Sequence, residues 1–356
     1  MSENRARVVA VAGAAGLLGG ELLRVLAEHA FPVGELRPVR ETAGESIDPE
    51  GAKTDAVDWL EDEVPLRESE AAAYDGADFA FLTGSAEDAG NAAKLAFARV
   101  AVTIDLSGRF ADNPDVPLVL TELGNGMLAK LPARALIAVP DAATAIIALA
   151  LAPLHAAFGL TRVTISTYES ASGRGRPGMD ELGKQIRALF NYQSVDAAVF
   201  PRSLAFNAIP QVDDLEVDGY TRGERAMASG LARLLAGVNP GAAAPDILAT
   251  RVWVPIFSGH SASVVIESAK PFTRDEARTA LVAAAAVSVI DDPEEGEYPV
   301  NGEAVGGDEV VVGRLRTPNE GPGTRLAFWV TADNLRRGSA IAAVRVAEAV
   351  LAAREA

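Results

Sequence analysis

The chain has 356 residues, 49% of them hydrophobic and 23% charged, a globular balance with length for one large domain or two ordinary ones. It contains no cysteine, which excludes disulfides, thiolate metal sites, iron–sulfur clusters and every cysteine nucleophile. Its net charge of −17 repels phosphate backbones and anionic lipid heads, so neither nucleic acid nor a membrane is an expected partner.

Arg7–Gly13 reads as a short buried strand ending at glycine. A helix pattern follows from Gly16 to about His29, with Leu18, Leu22, Leu23 and Leu26 on one face. The opening carries two arginines before an apolar run, as a signal peptide would. That run is glycine-rich and passes straight into the amphipathic helix, so a cytoplasmic protein is expected. Glu35–Val39, Asp78–Thr83, Val100–Asp105 and Leu136–Val139 are further strands, with a helix over Ala86–Ala98. This alternation predicts a doubly wound parallel α/β sheet of the Rossmann type.

The rhythm changes after about Pro140. Longer helices are predicted at Ala142–Phe158, Pro177–Asn191, Arg222–Leu235 and Thr273–Val287. Strands with polar alternation are predicted between them at Arg162–Ser170, Thr250–Phe257 and Ala262–Ser268, and another at Leu326–Thr331. The mix implies an α+β second domain with an antiparallel or mixed sheet. Thr144, Pro153 and His155 favour a buried helix over a membrane span in Ala142–Leu160. Thr317–Thr324 reads as a surface turn, and Leu335–Ala353 as a last, amphipathic helix.

Gly13, Gly16 and Gly19 form a G-x-x-G-x-x-G pattern between a predicted strand and a predicted helix, the context a dinucleotide fingerprint needs. The bland alternative is a small-residue turn without a ligand. Past the second strand, Arg40 would favour a ribose 2′-phosphate and Glu41 a ribose hydroxyl, and the two leave the choice open. The three histidines are scattered, without H-x-x-x-H spacing, so no metal site is expected. His155 reads as a satisfied core residue and His29 as a helix-end residue. Adjacent strand side chains point to opposite faces, so Ser261 and His260 do not make a hydrolase pair. Arg174 and Arg176, among glycines before a helix, read as a solvated loop or an anion site.

Several separate motifs, in order, resemble the aspartate-semialdehyde dehydrogenase family. They are VAVAGAAGLLGGELLRVLAEHAFPVGELR at the start, Val102–Glu122, FNAIPQVD at Phe206–Asp213, Gly259-His260-Ser261, Asp308–Arg314 and Asp333–Gly338. The resemblance implies a dinucleotide-binding domain over 1–139, completed by a C-terminal helix at 335–356, and a substrate and dimerisation domain over 140–334. It implies a homodimer, with a heterodimer alongside an active paralogue as a further possibility. It also implies NAD or NADP as cofactor, with weakened or lost binding as the alternative. The cofactor contacts would be Gly13, Ala15, Gly16, Leu17, Leu18, Arg40, Thr42, Gly84, Ser85, Gly173 and Asn334.

Members of that family attack the substrate with a cysteine, use a histidine as acid/base and hold substrate anions with arginines. Here the resemblance puts Ala142 at the nucleophile, in Val139-Pro140-Asp141-Ala142, and His260 at the acid/base. Glu169 stands where the family motif has glutamine. Trp253 stands at the carboxylate-binding arginine, with Arg251 two residues away on the same strand face. Gly230 stands at an acidic substrate ligand, Ala111 at a phosphate-side arginine with Arg109 near it, and Glu41 at the 2′-phosphate arginine. Arg109, Glu169 and Arg251 are the substrate or anion candidates. The pattern is most similar to the family's Usg-type paralogues, which lack the cysteine. It implies a dimeric, nucleotide-binding protein without dehydrogenase activity. The alternative is an NAD(P)-dependent oxidoreductase acting on a small aldehyde without a covalent step, with His260 as its acid.

Overall fold

The computed structural model describes residues 5–41, 54–124, 126–193, 196–318 and 321–355. Thr42, expected at the cofactor, lies outside them. Internal contacts divide the chain into one unit up to Asp141 that also takes Ser339 onwards, and a second spanning Ala142–Gly338.

The first unit is built on β1 (Arg7–Ala12), α1 (Leu17–Glu28), β2 (Val33–Val39), a hairpin of β3 (Ala56–Trp59) and β4 (Asp62–Pro65), the short α2 (Ala71–Tyr74), β5 (Phe79–Leu82), α3 (Ala86–Ala96), β6 (Val102–Asp105) and β7 (Ala135–Ala138). Five strands form one parallel sheet in the order β2-β1-β5-β6-β7. Strands β5 and β6 are buried at every residue, as strands covered on both faces should be. On one face Val9, Val11, Phe79, Phe81 and Ile104 pack with α1 and with Val344, Val346 and Val350 of the C-terminal helix. On the other, Ala10, Ala80 and Leu82 pack with Ala89, Ala92 and Ala96 of α3. The period-two alternation of β1 and β5 thus feeds two cores. The C-terminal helix begins later than its apolar pattern predicts. Arg336–Ala340 forms a single wide π turn, and the α-helix runs over Ile341–Glu355.

The second unit comprises α4 (Ala142–Phe158), β8 (Leu160–Tyr168), α5 (Gly175–Phe190), α6 (Arg222–Ala236), β9 (Asp246–Thr250), β10 (His260–Phe272), α7 (Arg274–Val282), β11 (Val287–Val289), β12 (Val310–Arg316) and β13 (Gly323–Ala332). Its mixed sheet has the order β11-β12-β13-β10-β8-β9, antiparallel at the centre and parallel at both ends. Val163, Ile165, Val264, Ile266, Phe328, Val330 and Val312 are buried, and α4 packs across β8, β10, β12 and β13. The opposite faces of the strands carry half-exposed Ser166, Ser263, Ala327 and Trp329 and exposed Val265. Tyr168 stacks on Trp329 there, with ring centroids 5.2 Å apart. Helices α6 and α7 both open with capping boxes, Thr221 with Glu224 and Thr273 with Glu276, which explains their sharp starts.

Two expected elements are corrected. The helix expected over Thr273–Val287 ends at Val282, because Val287–Val289 is drawn into the sheet beside Val310–Val312. The strand expected over Thr250–Phe257 ends at Thr250. Beyond it the chain leaves the ladder, and Trp253 makes only isolated bridges to Glu169 and Ile209. Helix α4 is buried nearly all round, and among the described residues no helix is long and apolar enough to cross a membrane.

His155 is in the core but only half satisfied. Its Nδ1 accepts the Leu160 N–H at 3.1 Å, while Nε2 has no hydrogen-bond partner. Burial holds its pKa below the ordinary value of 6.5. The unfolded chain therefore binds the proton more readily, and stability is lost as pH falls through 6.5 towards the folded value. Urea unfolding from pH 7.5 to 5.5 should show wild type losing up to about 1.4 kcal/mol per pH unit relative to His155→Gln, which keeps an acceptor but does not titrate. Parallel pH profiles would refute this.

Candidate functional site

In the first unit the glycine-rich turn joins β1 to α1. Gly13 has φ +81, a conformation that disfavours any side chain, and a Cβ there would lie 2.8 Å from the Gly84 nitrogen. Gly19 meets the turn so closely that a Cβ would lie 2.2 Å from the Gly13 carbonyl oxygen. Gly16 is the N-cap of α1 and offers no side-chain cap, and the first turn holds no acidic residue. Among the described residues a Cβ on Gly16 would meet nothing nearer than the Gly13 oxygen at 3.4 Å, so none of them closes this side of the turn. Ala15 is buried and Leu17 and Leu18 are half-buried beside it. Ser85 caps α3, its Oγ accepting the Asp88 N–H at 3.2 Å and bonding the Asp88 carboxylate at 2.6 Å.

Arg40 does not face an open site. Its guanidinium pairs with Asp55 at 2.6 Å and Glu68 at 3.1 Å. Arg109 lies in a turn organised by Asp105. That fully buried carboxylate accepts from the Ser107 N–H and hydroxyl and from the Phe110 N–H, and Ser107 Oγ in turn accepts the Arg109 N–H. Burial pushes the Asp105 carboxyl above its ordinary range, against the pull of these donors.

In the second unit Glu169, Arg251 and His260 come together, all buried. Glu169 follows β8 directly, and Arg251 follows β9, the strand paired beside it. Arg251 grips Glu169 in a two-pronged pair, Nε to Oε1 at 2.7 Å and Nη2 to Oε2 at 2.9 Å. Thr167 Oγ1 donates to Glu169 Oε1, and Arg251 Nη1 donates to the Gly223 carbonyl. The arginine that the resemblance offers as a substrate clamp is thus turned onto a carboxylate of its own chain.

His260 Nε2 is 4.0 Å from Glu169 Oε2. The other ring nitrogen, Nδ1, accepts the Ser170 N–H at 3.1 Å, so the neutral ring carries its proton on Nε2. Ser170 and Ser172 link this nitrogen to Asn334, whose Oδ1 also accepts the Gly259 N–H. Trp253 is 2% exposed and packs against Phe200 at 5.3 Å, with the Arg174 guanidinium 5.3 Å from the ring centroid. Gly173 fits tightly beside the two rings. A Cβ there would lie 3.0 Å from Trp253 and 3.2 Å from His260. Ala142 opens α4 against Gly338, whose Cβ position is 2.9 Å from the Ala142 Cβ.

The structure therefore gathers Glu169, Arg251, Trp253, His260, Gly173 and Asn334 in one unit, and Gly13, Gly16, Gly84, Ser85, Arg40, Glu41 and Arg109 in the other. Gly230 is buried within α6. Arg174 and Arg176 pair with Asp213 and Asp180. Among the described residues no histidine–acid cluster could hold a metal. Ser170, Ser172 and Thr167, which orient the site, were not anticipated. Their only signal is small hydroxyl residues alternating beside Glu169.

Residues 8–130 match the family model described as "Semialdehyde dehydrogenase, NAD binding domain", and residues 151–337 match "Semialdehyde dehydrogenase, dimerisation domain". The chain is 33% identical to the aspartate-semialdehyde dehydrogenase of Legionella pneumophila over 96% of its length and 94% of that protein's. It belongs to the aspartate-semialdehyde dehydrogenase family. The enzyme of Aquifex aeolicus is 36% identical, with 96% of each chain covered. The crystal structure of aspartate semialdehyde dehydrogenase II from Vibrio cholerae, complexed with ASA, superposes with a TM-score of 0.86 at 29% identity, covering 98% of this chain and 99% of that one. The Candida albicans enzyme with NADP shares the fold, at a TM-score of 0.70 and 18% identity, covering 98% and 99%.

The family's NAD-binding domain raises the question of fit. The open side of Gly16 and the uncapped, acid-free N-terminus of α1 suit a diphosphate, which backbone N–H groups and the helix dipole would hold. Gly13, Ala15, Leu17 and Leu18 shape that turn. A bound nicotinamide would supply hydride chemistry.

Proposed function

We propose that this chain is a non-catalytic, nucleotide-binding member of the aspartate-semialdehyde dehydrogenase family, of the Usg type. One observation carries the reading. In a chain without cysteine, the Glu169–Arg251 ion pair fills the surroundings of His260 and commits the guanidinium internally. Acyl transfer develops negative charge on a carbonyl oxygen, and the guanidinium that could stabilise it is already spent on Glu169. Ala142 has no atom that can attack a carbonyl and leave again. Trp253, packed on Phe200 and Gly173, is the bulk at the position that the family motif gives to an arginine.

Nucleotide binding belongs to a part spanning about 1–139 with the C-terminal helix, and dimer formation to 140–334. The half-exposed sheet face with Trp329 and Tyr168 suits a second copy of the same unit. Light scattering at the mass of a single chain would overturn this. A heterodimer with an active paralogue would use the same face.

Purified protein should give no phosphate-dependent formation of NADPH or NADH from aspartate semialdehyde. Ala142→Cys alone should also give none, because Glu169, Trp253 and Gly230 remain. A rate proportional to protein concentration in wild type sinks the non-catalytic reading. A rate in Ala142→Cys only would show that the neighbouring departures do not matter.

A second reading rests on the His260 tautomer. With Nδ1 accepting, Nε2 carries a proton that an acid could give to an aldehyde oxygen during hydride transfer without a covalent step. It requires consumption of NADH or NADPH with a small aldehyde, abolished by His260→Ala.

A further inference from the structure

We propose that the nucleotide pocket selects a dinucleotide with an unphosphorylated adenosine ribose, NAD over NADP, and that Glu41 is the residue that enforces the choice. The inference rests on the reading that the chain still binds a nucleotide.

In doubly wound folds, the residue just past the second strand meets the 2′ position of the adenosine ribose. A carboxylate there bonds the hydroxyl, and an arginine accommodates a phosphate. Here Arg40 and Glu41 both follow β2, which ends at Val39. The structure separates their roles. Arg40 is turned onto Asp55 and Glu68, and its Nη1 donates to the Thr54 carbonyl, so its donors point to the β3 side of the unit. Two carboxylates already neutralise it, and a phosphate would have to displace both.

Glu41 points the other way, onto the glycine turns. Its Oε1 is 3.1 Å and its carboxyl carbon 3.5 Å from where a Gly84 Cβ would stand, and Asp88 Cβ is 3.2 Å from the same point. Gly84 is the residue whose nitrogen abuts Gly13, the first glycine of the fingerprint. The Glu41 carboxylate therefore sits at the edge of the glycine turn, beside the Asp88 carboxylate that Ser85 holds. Its pKa is raised, first by desolvation and then by the charge of Asp88, as expected where negative charge is already crowded. A ribose hydroxyl can donate to such a carboxylate. A 2′-phosphate brings up to two more negative charges to a place that already holds two acids. Like charges juxtaposed in a binding site act as a repulsive selector.

The test is calorimetric titration of the full-length protein with NADH and NADPH in low-phosphate buffer at neutral pH, for wild type and Glu41→Gln. Thermal unfolding of wild type and variant, measured side by side, serves as the folding control. Wild type should bind NADH at least roughly tenfold tighter than NADPH, and Glu41→Gln should narrow that ratio by about tenfold, mainly through tighter NADPH binding. Equal affinities in wild type, or an unchanged ratio in a folded variant, would overturn the assignment to Glu41 while leaving nucleotide binding intact. If neither dinucleotide bound at millimolar concentration, nucleotide binding would fall, and the selectivity with it.

Discussion

Arg251→Met should destabilise the protein by about 3–5 kcal/mol, the cost of leaving a buried carboxylate without its partner. Glu169 and Arg251 are 1% and 6% exposed, so water cannot take over from a lost partner. The Thr167 hydroxyl that also donates to Glu169 is neutral and cannot replace a two-pronged guanidinium. Arg251 Nη1 also donates to the Gly223 carbonyl at the start of α6, so the variant loosens that helix's attachment. The double variant Glu169→Gln with Arg251→Met removes both charges and keeps an acceptor for Thr167. It should recover most of the loss, because replacing a buried pair as a whole is far milder than breaking it. Urea unfolding followed by fluorescence measures both. A single-variant loss below about 1 kcal/mol, the range of exposed pairs, would mean that the pair is solvated in solution.

Trp253→Ala should cost a similar amount, about 3–5 kcal/mol, through the cavity it leaves. The indole packs edge-on against Phe200 and lies in a cluster with Ala171, Leu204, Ile209 and Val212. These residues come from several loops, so the cavity has no single element that can collapse into it. Trp253→Phe should lose less than half as much. Indole Nε1 is buried without a hydrogen-bond partner, and removing it relieves an unsatisfied donor while most of the ring area stays. Trp253→Arg should be at least as damaging as alanine. It would place a third guanidinium beside Arg174 and Arg251, with Glu169 already committed. Unfolding midpoints of the three variants check the order. A neutral Trp253→Arg would show that the pocket still accepts the arginine of the family motif.

Much of the fold was legible because its signals are local. The continuous apolar run at β5, the glycine turn before α1 and the hydrophobic content of α4 each specify an element within a few residues of its observed bounds. The misses are places where tertiary structure overrides a local pattern. Residues 251–254 alternate as a strand does, yet only isolated bridges form there: the Val252 carbonyl and the Val254 N–H both bond Glu169, and Trp253 exchanges bonds with Ile209. The hairpin of β3 and β4 and the short β11 are too brief and too polar to register as strands. At the site, the family resemblance brought out Glu169 and Arg251 as candidates. It could not reveal that they bind each other, because the pairing depends on β8 and β9 lying side by side, 82 positions apart in sequence. Nor could it decide between Arg40 and Glu41. The difference lies in side-chain direction, set by Asp55 and Glu68, which lie 15 and 28 residues further along.

The Glu169–Arg251 pair also bears on how such a site changes over generations. Either residue exchanged alone strands a charge in the interior, so a lineage that holds both cannot drift back one substitution at a time without passing through a poorly folded intermediate. The pair acts as a ratchet, and the route to a neutral glutamine at position 169 runs through both positions at once.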